Sequence, residues 1–147
     1  MNNNHSAAQL REIIRKLERK LGVLDEKEHS CCGITMAQCH ALVEIGRAEH
    51  ISLNELAELL NLENSTMSRT VNNLVNNDLV KRDIDTQDRR YLSISLTESG
   101  GRLFGGIEEG MNLHFRNVFN TIPEDKREQV IESLQLLLQA LEQNICC

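Results

Sequence analysis

The chain has 147 residues with 16 Lys and Arg against 22 Asp and Glu, a net charge of -6 at pH 7. The length fits one domain, or one domain with a dimerisation extension, and the acidic balance excludes a basic coat over the whole surface, so any contact with DNA has to be local. Hydrophobic content of 40% and charged content of 26% exclude a disordered chain, and aromatics at 3% with no Trp leave nothing from which to build a stacking platform for single-stranded nucleic acid or carbohydrate.

In chain order, the start MNNNHSAAQLRE has no basic segment followed by an apolar core. No apolar run approaches the ~18 residues of a membrane span. The expected compartment is therefore the cytoplasm, with no membrane partner. Leu10, Ile13, Ile14, Leu17 and Leu21 recur at the spacing of an amphipathic helix, with charges between them and Gly22 as its stop. A polar loop follows and runs through Cys31, Cys32 and Gly33. Thr35 is placed to cap a second helix carrying Ala41, Leu42 and Ile45 inward and stopping near Gly46. Ser52 and Glu55 form a capping box ahead of Leu53, Leu56, Ala57 and Leu60, a third helix. After Asn61 and Leu62, with Asn64 or Ser65 as cap, a fourth helix turns Met67, Val71, Leu74 and Val75 inward.

Val80–Ile84 and Tyr91–Leu96 are β-prone runs separated by the polar tip DTQDRR, which reads as a hairpin. Thr97 opens a long fifth helix, and Pro123 sits where the first turn of another helix tolerates it. The last helix carries Val130, Ile131, Leu134, Leu137, Leu138, Leu141 and Ile145, a stripe wider than a small monomer covers, so part of it is expected to pack on a second chain. The expected fold is mainly α with a small β hairpin: a winged helix-turn-helix lobe plus a helical dimerisation region.

In a winged helix-turn-helix the second helix of the pair lies in the major groove and the hairpin contacts the backbone or minor groove. Ser65, Thr66, Ser68, Arg69, Asn72 and Asn73 on the outer face of the fourth helix are donors and acceptors suited to phosphates and base edges. The segment from Asn64 to Leu92 carries +1 while the remainder carries -7, an asymmetry in the right direction.

The stretch ELAELLNLENSTMSRTVNNLVNNDLVKRDIDTQDRRYLSISLTESG resembles the DNA-binding core of the MarR family of transcription regulators, above all in its D-x-x-D-x-R wing and the L-T-x-x-G entry into the fifth helix. The resemblance implies a single MarR-type domain over 1–147, with a winged helix-turn-helix lobe at 34–97 and a helical dimerisation region at 6–24 and 98–145. It further implies a homodimer whose two lobes read half-sites of a palindromic operator in double-stranded DNA. Arg89 or Arg90 is then the wing-tip residue of the minor groove, oriented by Asp88 through a carboxylate–guanidinium pair. One departure is the Gly-rich fifth helix, with Gly100, Gly101, Gly105, Gly106 and Gly110. Each interior Gly costs ~1 kcal/mol relative to Ala, a cost read first as close packing of another helix and second as a hinge.

Five cysteines, an odd number, do not suggest a disulfide framework. Cys31 and Cys32 in the loop, with Cys39 and His40 on the second helix, are the ligand types for a soft or borderline ion or a trigonal metalloid. Cys39 and His40 point about 100° apart on a helix, so one site does not readily use both. Cys39 by itself reads as a small buried hydrophobe, and Cys146 and Cys147 as a terminal pair of unassigned role. His114 joins a site only if the fifth helix passes the second. The expectation is a thiol-bound metal or metalloid ion, or an oxidant, as effector releasing a repressor from DNA, with no cofactor otherwise. The alternatives are a MarR-type repressor responding to a small organic ligand, or a winged-helix interaction module without DNA binding. An enzyme is not expected: G-x-S-x-G, phosphate-binding Gly loops and H-x-x-x-H are all missing.

Overall fold

The structure is a computed structural model that describes residues 2–22 and 33–146. Its elements are α1 (Asn3–Lys20), α2 (Met36–Ala48), α3 (Leu53–Leu59), α4 (Asn64–Asn76), β1 (Val80–Ile84), β2 (Leu92–Leu96), α5 (Glu98–Thr121), a 3₁₀ turn (Glu124–Lys126) and α6 (Arg127–Gln143). They fall into two compact units, Met1–Ile107 and Glu108–Cys147.

The first unit is built around the helix-turn-helix. Ala41, Leu42 and Ile45 of α2, Leu56 and Ala57 of α3, and Met67, Val71 and Leu74 of α4 meet Val80 and Ile94 of the hairpin in one buried cluster. Local chemistry sets the helix ends. The Thr35 hydroxyl accepts from the Gln38 amide at 3.2 Å while the Gln38 side chain accepts from the Thr35 amide at 3.2 Å, a reciprocal cap. The expected stop at Gly46 is corrected: α2 continues to Ala48. Gly46 serves close approach instead, because a Cβ there would lie 2.6 Å from the Phe104 ring. Ser52 caps α3 by accepting from the Glu55 amide at 3.1 Å, and its hydroxyl donates to the Glu55 carboxylate at 2.9 Å. Asn61, at φ 55°, then turns the chain between α3 and α4 in the left-handed region that Asn tolerates.

The fourth helix is not capped by Asn64 or Ser65. Its N-cap is Glu63, which makes no side-chain capping bond, and the Asn64 side-chain amide donates to Asn54 at 2.9 Å, tying α4 to α3. Beyond α4, β1 and β2 pair antiparallel with Val80 opposite Leu96 and Ile84 opposite Leu92. Along β2 the two faces are not cleanly apolar and polar, since Leu92 is exposed and Ser95 is buried with its hydroxyl unbonded. Leu92 pairs with Ile84 at the tip end of the hairpin, where Ile84 is exposed as well. Ile51 adds an isolated bridge to Ile94, with amide–carbonyl bonds of 3.0 and 2.8 Å that fasten the hairpin to the turn before α3.

Thr97 explains the L-T-x-x-G signature. Its hydroxyl donates to the Asp78 carbonyl at 2.6 Å and accepts from the Gly100 amide at 3.0 Å, so one side chain both caps α5 and ties it to the turn after α4. A Cβ on Gly100 would lie 1.9 Å from the Leu79 carbonyl oxygen, so only Gly allows this approach. At the other four glycines of α5 a Cβ would meet nothing within 4 Å among the described residues, so the expected close packing of another helix is not seen there.

In the second unit, Arg127 closes the end of α5. Its Nε donates to the Phe119 and Ile122 carbonyls at 3.1 and 3.0 Å, its Nη2 donates to the Asn120 carbonyl at 3.0 Å, and the guanidinium lies 5.4 Å over the Phe119 ring. These are carbonyls that a helix end leaves without intrahelical partners. Neither α1 nor α6 buries a residue. Leu10, Ile13 and Leu17 of α1 and Ile131, Leu134, Leu138 and Leu141 of α6 are exposed.

Candidate nucleic-acid interface

The sidedness of α4 follows from its periodicity. Met67, Thr70, Val71 and Leu74 are buried while Ser65, Thr66, Arg69, Asn72 and Asn73 are exposed, and Ser68 is half-buried at the edge between the two faces. The apolar side fixes the helix to the lobe, and the polar side presents two hydroxyls, one guanidinium and two amides. The Thr70 hydroxyl donates to the Thr66 carbonyl at 3.1 Å, so this buried polar group is satisfied inside the helix.

Each named position of the wing's D-x-x-D-x-R pattern has a geometric task. The Asp85 carboxylate accepts from the Gln87 and Asp88 amides at 2.8 and 3.2 Å, an Asx-type turn that shapes the tip. The Asp85 amide donates to the Tyr91 carbonyl at 3.0 Å, which places Tyr91 in the tip and starts β2 at Leu92. Asp88 grips Arg90: Nε to Oδ1 at 3.1 Å and Nη2 to Oδ2 at 2.9 Å, with the Arg90 amide also donating to Oδ1 at 3.1 Å. Of the two arginines left open by the sequence, Arg90 is therefore the one that Asp88 orients. The bonds from the Arg90 side chain and then from its amide hold the Asp88 carboxyl below its ordinary value, and the carboxylate in turn raises Arg90. Arg90 lies 5.9 Å over the Tyr91 ring, so the guanidinium has a carboxylate on one side and an aromatic face near the other. Arg89 is exposed beside it.

One residue missing from the sequence-derived set is Arg82, whose Nη2 donates to Asn72 Oδ1 and bridges β1 to the exposed face of α4. The signal was present in the strand alternation: Arg82 stands opposite Ile94 and two residues from Val80, on the face that packs toward the lobe.

The thiol set divides. Cys31 and Cys32 lie outside the described residues. Cys39 is half-buried and packs against the hydrophobic cluster, while His40 is exposed, so the two neighbours do not converge. Cys146 is exposed. His114 meets Phe115 edge-on at 5.3 Å. Among the described residues no group of three or more His, Cys, Asp or Glu is placed to hold a metal ion, and no helix is long and apolar enough to cross a membrane.

Comparison with known proteins places this geometry. The MarR family profile matches residues 34–92. The HTH-type transcriptional regulator SarZ of Staphylococcus epidermidis is 30% identical over 125 residues, 85% of this chain and 78% of that protein. The HTH-type transcriptional repressor MdtR of Bacillus subtilis is 24% identical over 133 residues, 90% of this chain and 83% of that protein. Among solved structures, Streptococcus pneumoniae FabT in complex with DNA superposes with a TM-score of 0.82 at 19% identity, covering 93% of this chain and 98% of that one. The S. aureus MepR–DNA complex gives 0.75 at 23% identity, covering 88% and 96%. The fold is thus a winged helix-turn-helix with flanking helices, and the chain belongs to the MarR family of transcription regulators.

Proposed function

We propose that the protein is a homodimeric, cytoplasmic repressor that binds a palindromic operator in double-stranded DNA. In this reading residues 34–97 are the DNA-binding lobe and residues 6–24 and 98–145 the dimerisation region. The observation that carries it is the pairing of a one-sided polar face on α4 with a wing-tip arginine already fixed by its own carboxylate. Arg90 enters the minor groove, Asp88 orients it, and Arg89 meets phosphate. Ser65, Thr66, Ser68, Arg69, Asn72 and Asn73 supply major-groove and backbone contacts. The named DNA complexes of FabT and MepR, and the repressor name of MdtR, support the assignment. The unburied apolar stripes of α1 and α6 support a second chain.

The test is duplex selection from genomic fragments, followed by affinity against salt. A protein of net charge -6 that relies on a few Arg and Lys contacts loses affinity steeply as salt rises. A purified dimer that retains no duplex at low salt overturns the reading.

The effector belongs to the same proposal. A thiophilic metal, metalloid or oxidant acts at Cys31 and Cys32, with Cys39 as the third sulfur and His40 outside the set. Support comes from the vicinal thiols in the sequence and from Cys39 lying against the core that carries the helix-turn-helix. The double variant Cys31→Ser with Cys32→Ser is expected to bind the operator as the parent does and to ignore Cd(II), arsenite and peroxide. Release of DNA from this variant at the parent's effector concentration places the sensor elsewhere.

A further inference from the structure

We infer that Arg82 is a specificity-determining residue that works through Asn72, restricting that side chain on α4 to donating toward DNA; the inference rests on the DNA-binding reading above. An asparagine carries one acceptor oxygen and two amide donors, whereas a guanidinium carries donors only. The bond from Arg82 Nη2 to Asn72 Oδ1 takes one of the two lone pairs of that oxygen and turns this end of the amide toward the wing, which leaves the amide nitrogen as the group presented by the exposed side of α4. An asparagine reads adenine by using both ends, its oxygen accepting from N6 and its nitrogen donating to N7. Asn72 held by Arg82 has its oxygen directed at the wing, so the two-pronged alignment that adenine requires is disfavoured. What remains suits an acceptor on DNA, either the guanine edge through N7 and O6 or a phosphate oxygen.

The tertiary arrangement makes this pairing possible. Arg82 shares a hairpin face with Val80 and Ile94, which are buried in the lobe. At its position the face has reached the edge of the core, and the side chain is exposed. Its long stem runs from the strand back to α4, with the charged head ending at Asn72. The bond joins the two parts of the proposed interface, the reading helix and the wing, ten residues apart in sequence.

The experiment is a double-mutant cycle with the full-length dimer on a selected operator, combined with base-preference profiles from randomised duplexes. Arg82→Ala and Asn72→Ala are each expected to weaken binding about five- to tenfold, with the double variant no weaker than either single one. Asn72→Asp, which keeps the acceptor for Arg82 but has no donor for DNA, should match or exceed the loss of Asn72→Ala. Arg82→Lys, which keeps a donor for Asn72, should restore most of the affinity lost in Arg82→Ala. In the Arg82→Ala profile the freed oxygen should raise adenine preference at the position where the Asn72→Ala profile changes. Methylphosphonate at single phosphates separates the two acceptor sources: a guanine preference insensitive to it assigns the base edge and supports the inference, whereas loss of the Asn72 effect on such a duplex assigns a phosphate and overturns the role in specificity. Additive losses in the cycle, or an adenine preference already present in the parent and abolished by Asn72→Ala, overturn the inference. A parent chain that binds no duplex overturns the DNA-binding reading itself, a result distinct from binding with additive variants.

Discussion

The lobe and the outer helices use the same hydrophobic code to opposite ends. In the lobe, Leu42, Ile45, Leu56, Met67, Leu74, Ile94 and Val71 are fully buried within one chain. In α6, Leu134 and Leu138 remain 49% and 58% exposed despite an apolar spacing at least as regular. Burial in the lobe is possible because α2, α3, α4 and the hairpin all turn apolar side chains into one shared cluster, whereas a single helix face buries its stripe only against another surface. Periodicity therefore reports that a face will be covered, and only the tertiary contacts tell whether the cover comes from the same chain.

The sharpest way to break this comparison is to charge the exposed stripe. Leu134→Glu with Leu138→Glu alters four side chains per dimer, each contributing about 1.5–3 kcal/mol when buried. The expected result is a monomer by light scattering at micromolar concentration, with operator affinity reduced at least about a hundredfold through the lost second half-site. Retained dimer would move the interface elsewhere.

Core substitutions test the other side. Leu42→Ala, at a site with no exposure, should lower the unfolding free energy of the lobe by about 2–5 kcal/mol in denaturant titration. Leu138→Ala should cost much less when measured on a dilute monomer. Equal costs would mean that the two regions are covered alike. Gly100→Ala should fall in the same range as Leu42→Ala or just below it, about 2–4 kcal/mol, because its Cβ would meet the Leu79 carbonyl at 1.9 Å. Gly105→Ala, with nothing nearby, should instead stabilise by about 0.4–1 kcal/mol in the monomer. If Gly105→Ala weakens the dimer while leaving the monomer firm, a partner helix approaches there.

Within the lobe the wing offers a finer contrast. Arg90→Ala is expected to reduce affinity for all duplexes by about tenfold and to lower the salt slope by about one, with Asp88→Asn giving a smaller loss by freeing rather than removing the guanidinium. The sign of the pH effect follows from the lowered carboxyl of Asp88. The pair is intact above the ordinary carboxylate range and is lost only as the pH falls through the depressed value. The Arg90 share of affinity should thus be flat between about pH 6 and 8, and a titration of that share in this window would contradict the pairing. The smallest expected effect is at the cap of α2, where Thr35→Ala should destabilise the lobe by about 1 kcal/mol without moving operator specificity.

Much was legible in the residues alone, because the signals were local. The caps at Thr35 and Ser52, the polar face of α4, the turn chemistry of the wing and the Thr97 cap on the Gly100 amide each depend on neighbours within a few positions, and such geometry is written in spacing; the tie from Thr97 to Asp78, nineteen residues back, is not. Gly46 misled for the same reason: a glycine reads as a stop when the ring that needs the space, Phe104, lies far along the chain. The cap of α4 was misplaced because Asn54 claims the Asn64 side chain from another helix. Which arginine Asp88 grips is settled by turn geometry across two residues, whereas the bridge from Ile51 to Ile94 and the reach of Arg82 to Asn72 were decided only by the tertiary structure. Each depends on distances between segments that no periodicity encodes, and a hydrogen bond forms or fails within a few tenths of an ångström.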